Sequence, residues 1–128
     1  MTQKYIEGDI VEYDNKIMVI KEPRDGSHFD LSCPKEGLVY CFVDIDEIKP
    51  IPITVEILKK NRWKKEMYHD WYYFPLERTL LYIIEGIGID DAWSVRVGLN
   101  MNDIANISFV HQLQHIFFGF GINHEMEV

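Results

Sequence analysis

His111 and His115 stand four residues apart in a segment whose apolar spacing is helical. Both imidazoles would therefore share one helix face, the arrangement that zinc-binding helices use. The residue after the first histidine is Gln112, so the general base of an H-E-x-x-H helix is missing, and a third ligand would have to come from His124 or Glu125 by a tight fold-back. The pair reads as surface or hydrogen-bonded histidines, with no metal site. A second constellation is Lys59-Lys60-Asn61-Arg62-Trp63-Lys64-Lys65, the only cationic cluster in an acidic chain. Basic residues interleaved with an aromatic are what backbone-tracking nucleic-acid binders use, which makes Lys59, Lys60, Arg62, Lys64 and Lys65 a nucleic-acid candidate. A helix C-terminus accounts for three of these charges, and Trp63 is better placed as a core anchor.

The remaining chemistry-bearing groups are poorly equipped. Gly86-Ile87-Gly88 lacks the third glycine and the following helix of a dinucleotide fingerprint, and residues 86–91 read as a turn. Asp44-Ile45-Asp46-Glu47 lacks the glycine and terminal glutamate of a calcium loop and reads as a short helical turn. Cys33 before Pro34, with His28 and Asp30 nearby, suggests a nucleophile and base only superficially; a turn is the simpler reading. The expectation is a protein with no catalytic residue, no cofactor and no metal.

These groups sit in a chain of 128 residues, long enough for one domain with a core. A formal charge of −8 argues against general attraction to nucleic-acid backbones and makes nucleic acid an unlikely partner. No apolar run approaches the roughly 18 residues of a membrane span, and the first seven residues are polar. Cys33 and Cys41 form no C-x-x-C pair. A cytoplasmic protein with two reduced thiols and no membrane contact is expected.

The elements that must position the candidates follow from local patterns. Residues 9–13 and 16–21 flank Asp14-Asn15, a two-residue hairpin link. Residues 28–32 and 38–43 form a second pair of strands around 34–37. The 38–43 strand is apolar on both faces, which predicts a central position buried on both sides. Four short strands with tight turns suggest a small SH3-like barrel or curled antiparallel sheet. Lys49-Pro50-Ile51-Pro52 interrupts the sheet and reads as a linker. Thr54 is a plausible N-cap for a helix ending near Asn61, with Ile53 and Leu58 as a hydrophobic staple. Strands over 71–74, 79–84 and 93–97 make a meander. The clearest helix covers 108–120, with Phe109, Val110, Leu113, Ile116, Phe117 and Phe120 on one apolar face and Gly121-Ile122 as its stop. Opposite that face lie His111, Gln114, His115 and Phe118, an aromatic among polar groups and hence a possible interaction surface.

Two stretches, Asp46-Glu47-Ile48-Lys49-Pro50-Ile51-Pro52-Ile53-Thr54 with Glu56-Ile57-Leu58, and Ile107-Ser108-Phe109-Val110-His111-Gln112-Leu113-Gln114, resemble an uncharacterised family of small hypothetical proteins from Bacteroides-type gut bacteria and their mobile elements. The resemblance implies a biological setting and no activity. The chain departs from that family's pattern at Arg62 and His115.

Together these readings predict an α+β fold: a small N-terminal SH3-like or antiparallel β module over 1–48, a Pro-rich linker over 49–53, and an α-β-meander-α module over 54–128, expected to pack as one compact unit. Function is expected to be non-catalytic, with an unknown protein partner or self-association. A nucleic-acid accessory role through residues 59–65 is the alternative.

Overall fold

The computed structural model describes residues 4–87 and 91–128. Asp14 and Asn15 both take left-handed backbone angles, with φ of 52° and 60°. This is the geometry a two-residue hairpin link requires, and Asp and Asn tolerate it better than most residues. The link joins β1 (Ile10–Tyr13) to β2 (Lys16–Pro23), with Tyr13 opposite Lys16. Strands β3 (His28–Cys33) and β4 (Leu38–Asp44) follow, then a 3₁₀ turn over Ile45–Glu47 that is capped by the Asp44 carboxylate accepting from Asp46 N at 2.9 Å. The short β5 (Lys49–Pro50) returns to pair with β1. The sheet order β4-β3-β2-β1-β5 is antiparallel throughout, and the chain as a whole has the α+β composition expected from the sequence.

Two expectations fail here. Lys49 and Pro50 are no linker: they pair with Glu12 and Val11 on the sheet edge, where a proline's missing donor is tolerated. The 38–43 strand is not central either. It is the opposite edge of the sheet, and most of its residues are exposed.

The second sheet is a plain meander of β6 (Lys64–Lys65), β7 (Trp71–Pro75), β8 (Leu80–Ile84), β9 (Trp93–Val97) and β10 (Asn102–Ile107), in the order β10-β9-β8-β7-β6. Before it comes α1 (Val55–Lys60), where the Thr54 hydroxyl accepts from Ile57 N at 3.2 Å and Ile53 and Leu58 are both buried, as the staple predicts. The 86–91 turn belongs partly to residues outside those described.

The C-terminal helix α2 (Val110–Gly119) begins with the Gln112 side chain accepting from Phe109 N at 3.1 Å. It ends in a Schellman pattern: Gly121 at φ 71° donates to Phe118 O and Ile122 donates to Phe117 O, both at 3.0 Å. The chain divides into two compact units, the first comprising Met1–Pro52, Phe109–Met126 and Val128, the second Ile53–Ser108 and Glu127. Thus α2 belongs with the N-terminal sheet, a different division from the expected 54–128 module. Among the described residues no helix is long and apolar enough to cross a membrane.

Candidate interaction site

The four residues expected to share a surface on α2 are separated by the structure. Gln114 is fully buried and acts as a clamp: its Oε1 accepts from Ile10 N at 2.8 Å, and its Nε2 donates to Gly8 O at 3.0 Å and His124 O at 2.8 Å. His115 Nε2 donates to Asp9 Oδ2 at 2.7 Å, an oxygen that also accepts from Ile6 N at 2.8 Å. His111 is buried with its ring centroid 4.9 Å from that of Tyr5. Its Nδ1 and the Asp9 Oδ1 have no hydrogen-bond partner among the described residues. Burial holds the His111 pKa down to about 4; His115 acts in the same sense and the charge of Asp9 opposes it. Burial, with the Asp9 charge second, pushes Tyr5 up to about 12. His111 and Gln114 therefore cannot serve as an interaction surface. Helical spacing alone placed them opposite the apolar stripe, but His111 and Gln114 are buried along with the stripe residues Val110, Leu113 and Phe117, and Phe120 from that stripe is exposed instead. Of the four, Phe118 remains outward at 60 % exposure, edge-on to His124 at 5.3 Å.

The pairing of His111 and His115 thus serves packing and a tether. Among the described residues no group of three or more His, Cys, Asp or Glu is placed to hold a metal ion. Cys33 is buried and Cys41 exposed, both unbridged. His28 lies at the far end of β3 from Cys33, about 16 Å along an extended strand, and its Nδ1 meets Asp25 Oδ1 at 3.0 Å.

The surface the sequence missed is the outer edge of β4. Among the described residues no strand pairs with it, and it presents Leu38, Val39 and Phe42 at 45, 48 and 58 % exposure. Its shape is set by a β-bulge in which Cys41 and Phe42 oppose the single residue Asp30. Asp30 is buried and holds the bulge together, with Oδ1 accepting from Phe42 N at 2.9 Å and Oδ2 bound by Arg24 at 2.6 Å. The Arg24 guanidinium, followed by the Phe42 amide, keeps the Asp30 carboxyl below the usual carboxylate range. Phe42 takes φ 57°, uncommon for a bulky residue, and its ring stacks on His28 at 4.3 Å. Asp25, Asp44, Asp46 and Glu47 surround this end of the strand with negative charge.

The five cations of the nucleic-acid candidate, Lys59, Lys60, Arg62, Lys64 and Lys65, are all exposed on the second unit, while Trp63 is buried beside Phe74 at 5.5 Å. No protein-family model matches the chain, and neither does any curated protein or solved structure.

Proposed function

We propose that the protein is a non-catalytic, cytoplasmic binding protein that holds a protein partner by pairing an extended segment with the outer edge of β4. The observation that supports this reading is the exposed apolar edge itself. Folded proteins normally blunt such an edge with charges, prolines or cover, because its unpaired amides and carbonyls template a further strand. Here Leu38 and Val39 are left uncharged, and the bulge limits pairing to the segment before Phe42. A strand added there gains main-chain hydrogen bonds for affinity and the exposed side chains for specificity. The surrounding Asp25, Asp44, Asp46 and Glu47 favour a partner segment carrying Lys or Arg beside its apolar residues.

Cys41, exposed on this strand while Cys33 is buried, provides a specific handle for a thiol-linked photo-crosslinker. Crosslinking in cells followed by peptide mapping should recover an extended, basic-apolar segment of one partner. The capture should vanish in Val39→Lys, which puts a charge on the edge without touching the core. Crosslinks that persist unchanged in that variant would remove the β4 edge from consideration.

A further inference from the structure

We infer that the second sheet carries a binding face for single-stranded nucleic acid, separate from the β4 edge and built from a cross-strand row of aromatic and basic side chains. The row follows from register. Lys64 of β6 lies opposite Tyr73 of β7, Tyr73 opposite Tyr82 of β8, and Tyr82 opposite Arg96 of β9. Residues directly opposite in an antiparallel sheet project from the same face, so the four form one line across four strands. The neighbouring row, Lys65, Tyr72, Ile83 and Val95, points the other way, and its last three members are buried. Lys64 is exposed and Tyr73, Tyr82 and Arg96 are half-buried, whereas in the next row on the same face, Trp71, Ile84 and Ser94, the last two are buried, so the accessible part of the face lies toward β6 and β7.

Trp71, two residues from Tyr73, shares this face and meets Tyr82 edge-on at 6.3 Å. His69 stacks on Trp71 at 4.1 Å and 11°, extending the aromatic surface toward solvent. At the sheet edge beside Trp71 lies a hollow of about 380 Å³ lined from both faces, by Lys65 and Tyr72 of the opposite face together with Asp70, Ile84 and Glu85. Its carboxylates suit the exocyclic amines of a base.

Charge supplies the second half of the argument. Lys59, Lys60, Arg62 and Lys64 are exposed and make no ion pair among the described residues, while Lys65 reaches Asp70 at 3.7 Å. In sequence the others directly precede and follow Lys64 at one end of the row, whereas Asp103 opposes Arg96 at the other end. The polynucleotide backbone therefore belongs along β6, with bases laid over Tyr73 and Tyr82. Aromatic platforms beside a positive track are how proteins hold single strands without reading sequence, since every base has a π face. A duplex keeps its bases stacked internally and cannot use such platforms. The second unit is itself slightly acidic, with seven Lys and Arg against nine Asp and Glu, so attraction of the strand rests on the clustering of five cations within residues 59–65.

The test is fluorescence anisotropy of labelled oligo-dT and oligo-U with the full chain at about 50 mM salt. Both oligomers should bind, and an unlabelled duplex should compete poorly. Tyr82→Ala should weaken binding by about fivefold or more, the loss of one stacked base. Tyr82→Phe, which keeps the ring, should retain it. The double change Lys64→Glu with Lys65→Glu alters only exposed edge residues, so it decides the matter if Tyr82→Ala fails to fold. It should abolish binding, while Lys64→Ala should reduce the salt slope by about 0.7. Absence of binding at low salt, equal competition by duplex, or indifference to the charge reversal would each overturn the assignment.

Discussion

The two five-stranded sheets are both antiparallel, yet they differ in what holds them and in what they leave open. The first is pinned by residues far away in sequence: Gln114 and His115 of α2 bind the backbone and carboxylate of residues 8–10. Its strands carry bulges on both sides of Asp30, and it exposes an apolar edge. The second is assembled from consecutive strands in nearly regular register, interrupted only between Asp103 and Ala105, and it exposes an aromatic-basic face. Similar strand counts thus produce different surfaces. A bulged strand at the end of its sheet presents its edge; a regular meander aligns side chains into rows.

The largest expected effect tests whether the two units respond separately. Leu113 is fully buried in α2, so Leu113→Ala should cost about 2–5 kcal/mol, out of the roughly 5–15 kcal/mol typical of a domain. Trp63, Trp71 and Trp93 all lie in the second unit, whereas Cys33 is buried in the first. Thermal labelling of Cys33 should therefore begin much earlier in the variant, while tryptophan emission keeps its midpoint. If both probes shift together, the chain unfolds as one cooperative body and the contrast between units loses its energetic meaning. Phe118→Ala, at an exposed position, should change stability by less than about 0.5 kcal/mol.

A smaller effect comes from pH and again should fall on the first unit. Unfolded histidine titrates near 6.5, but His111 in the fold stays neutral to about 4. Between those values the unfolded chain binds a proton that the folded chain does not, so stability falls as the pH drops through this window. Asp25 and Asp30, whose pKa values are lowered by hydrogen bonds from Ser27 and Arg24 respectively, lose their contribution at still lower pH. Denaturant titrations followed by Cys33 labelling should show the loss between pH 6.5 and 4, and His111→Leu should flatten it. An unchanged slope in that variant would assign the pH response to other groups.

The same contrast explains what the sequence could reveal. The Asp14-Asn15 link, the Thr54 cap and the Gly121 stop act over a few neighbouring residues, and each is legible from residue type alone. Strand order is not. Leu38–Asp44 has an apolar pattern that suits a buried strand, yet the return of β5 to β1 leaves it at the edge. β10 escaped notice because half of its residues are polar and most are exposed, and the bulge at Ile104 breaks its alternation. The role of Gln114 depends on partners more than a hundred residues distant, with |i−j| of 104 and 106. The row from Lys64 to Arg96 likewise has no signature until four strands are placed in register.

A near-cancelling effect at Phe42 sharpens the claim that the first sheet keeps its edge for binding. A bulky residue at φ 57° costs about 1–2 kcal/mol relative to an ordinary conformation, a penalty glycine escapes. Against that relief, Phe42→Gly adds unfolded-state entropy of about 0.5–1 kcal/mol. It also loses the stack on His28, worth about 0.5–1.5 kcal/mol if it behaves as an aromatic pair. These terms nearly cancel, so the variant should melt within about 1 kcal/mol of the parent. Phe42→Ala keeps the backbone strain while losing the stack and should be the less stable of the two. Both should lose crosslinking of a partner through Cys41, because the exposed ring beside the edge is gone. If Phe42→Gly instead unfolds the first unit, as read by Cys33 labelling, the ring is a structural anchor of the bulge, and the edge it borders was never kept open for a partner.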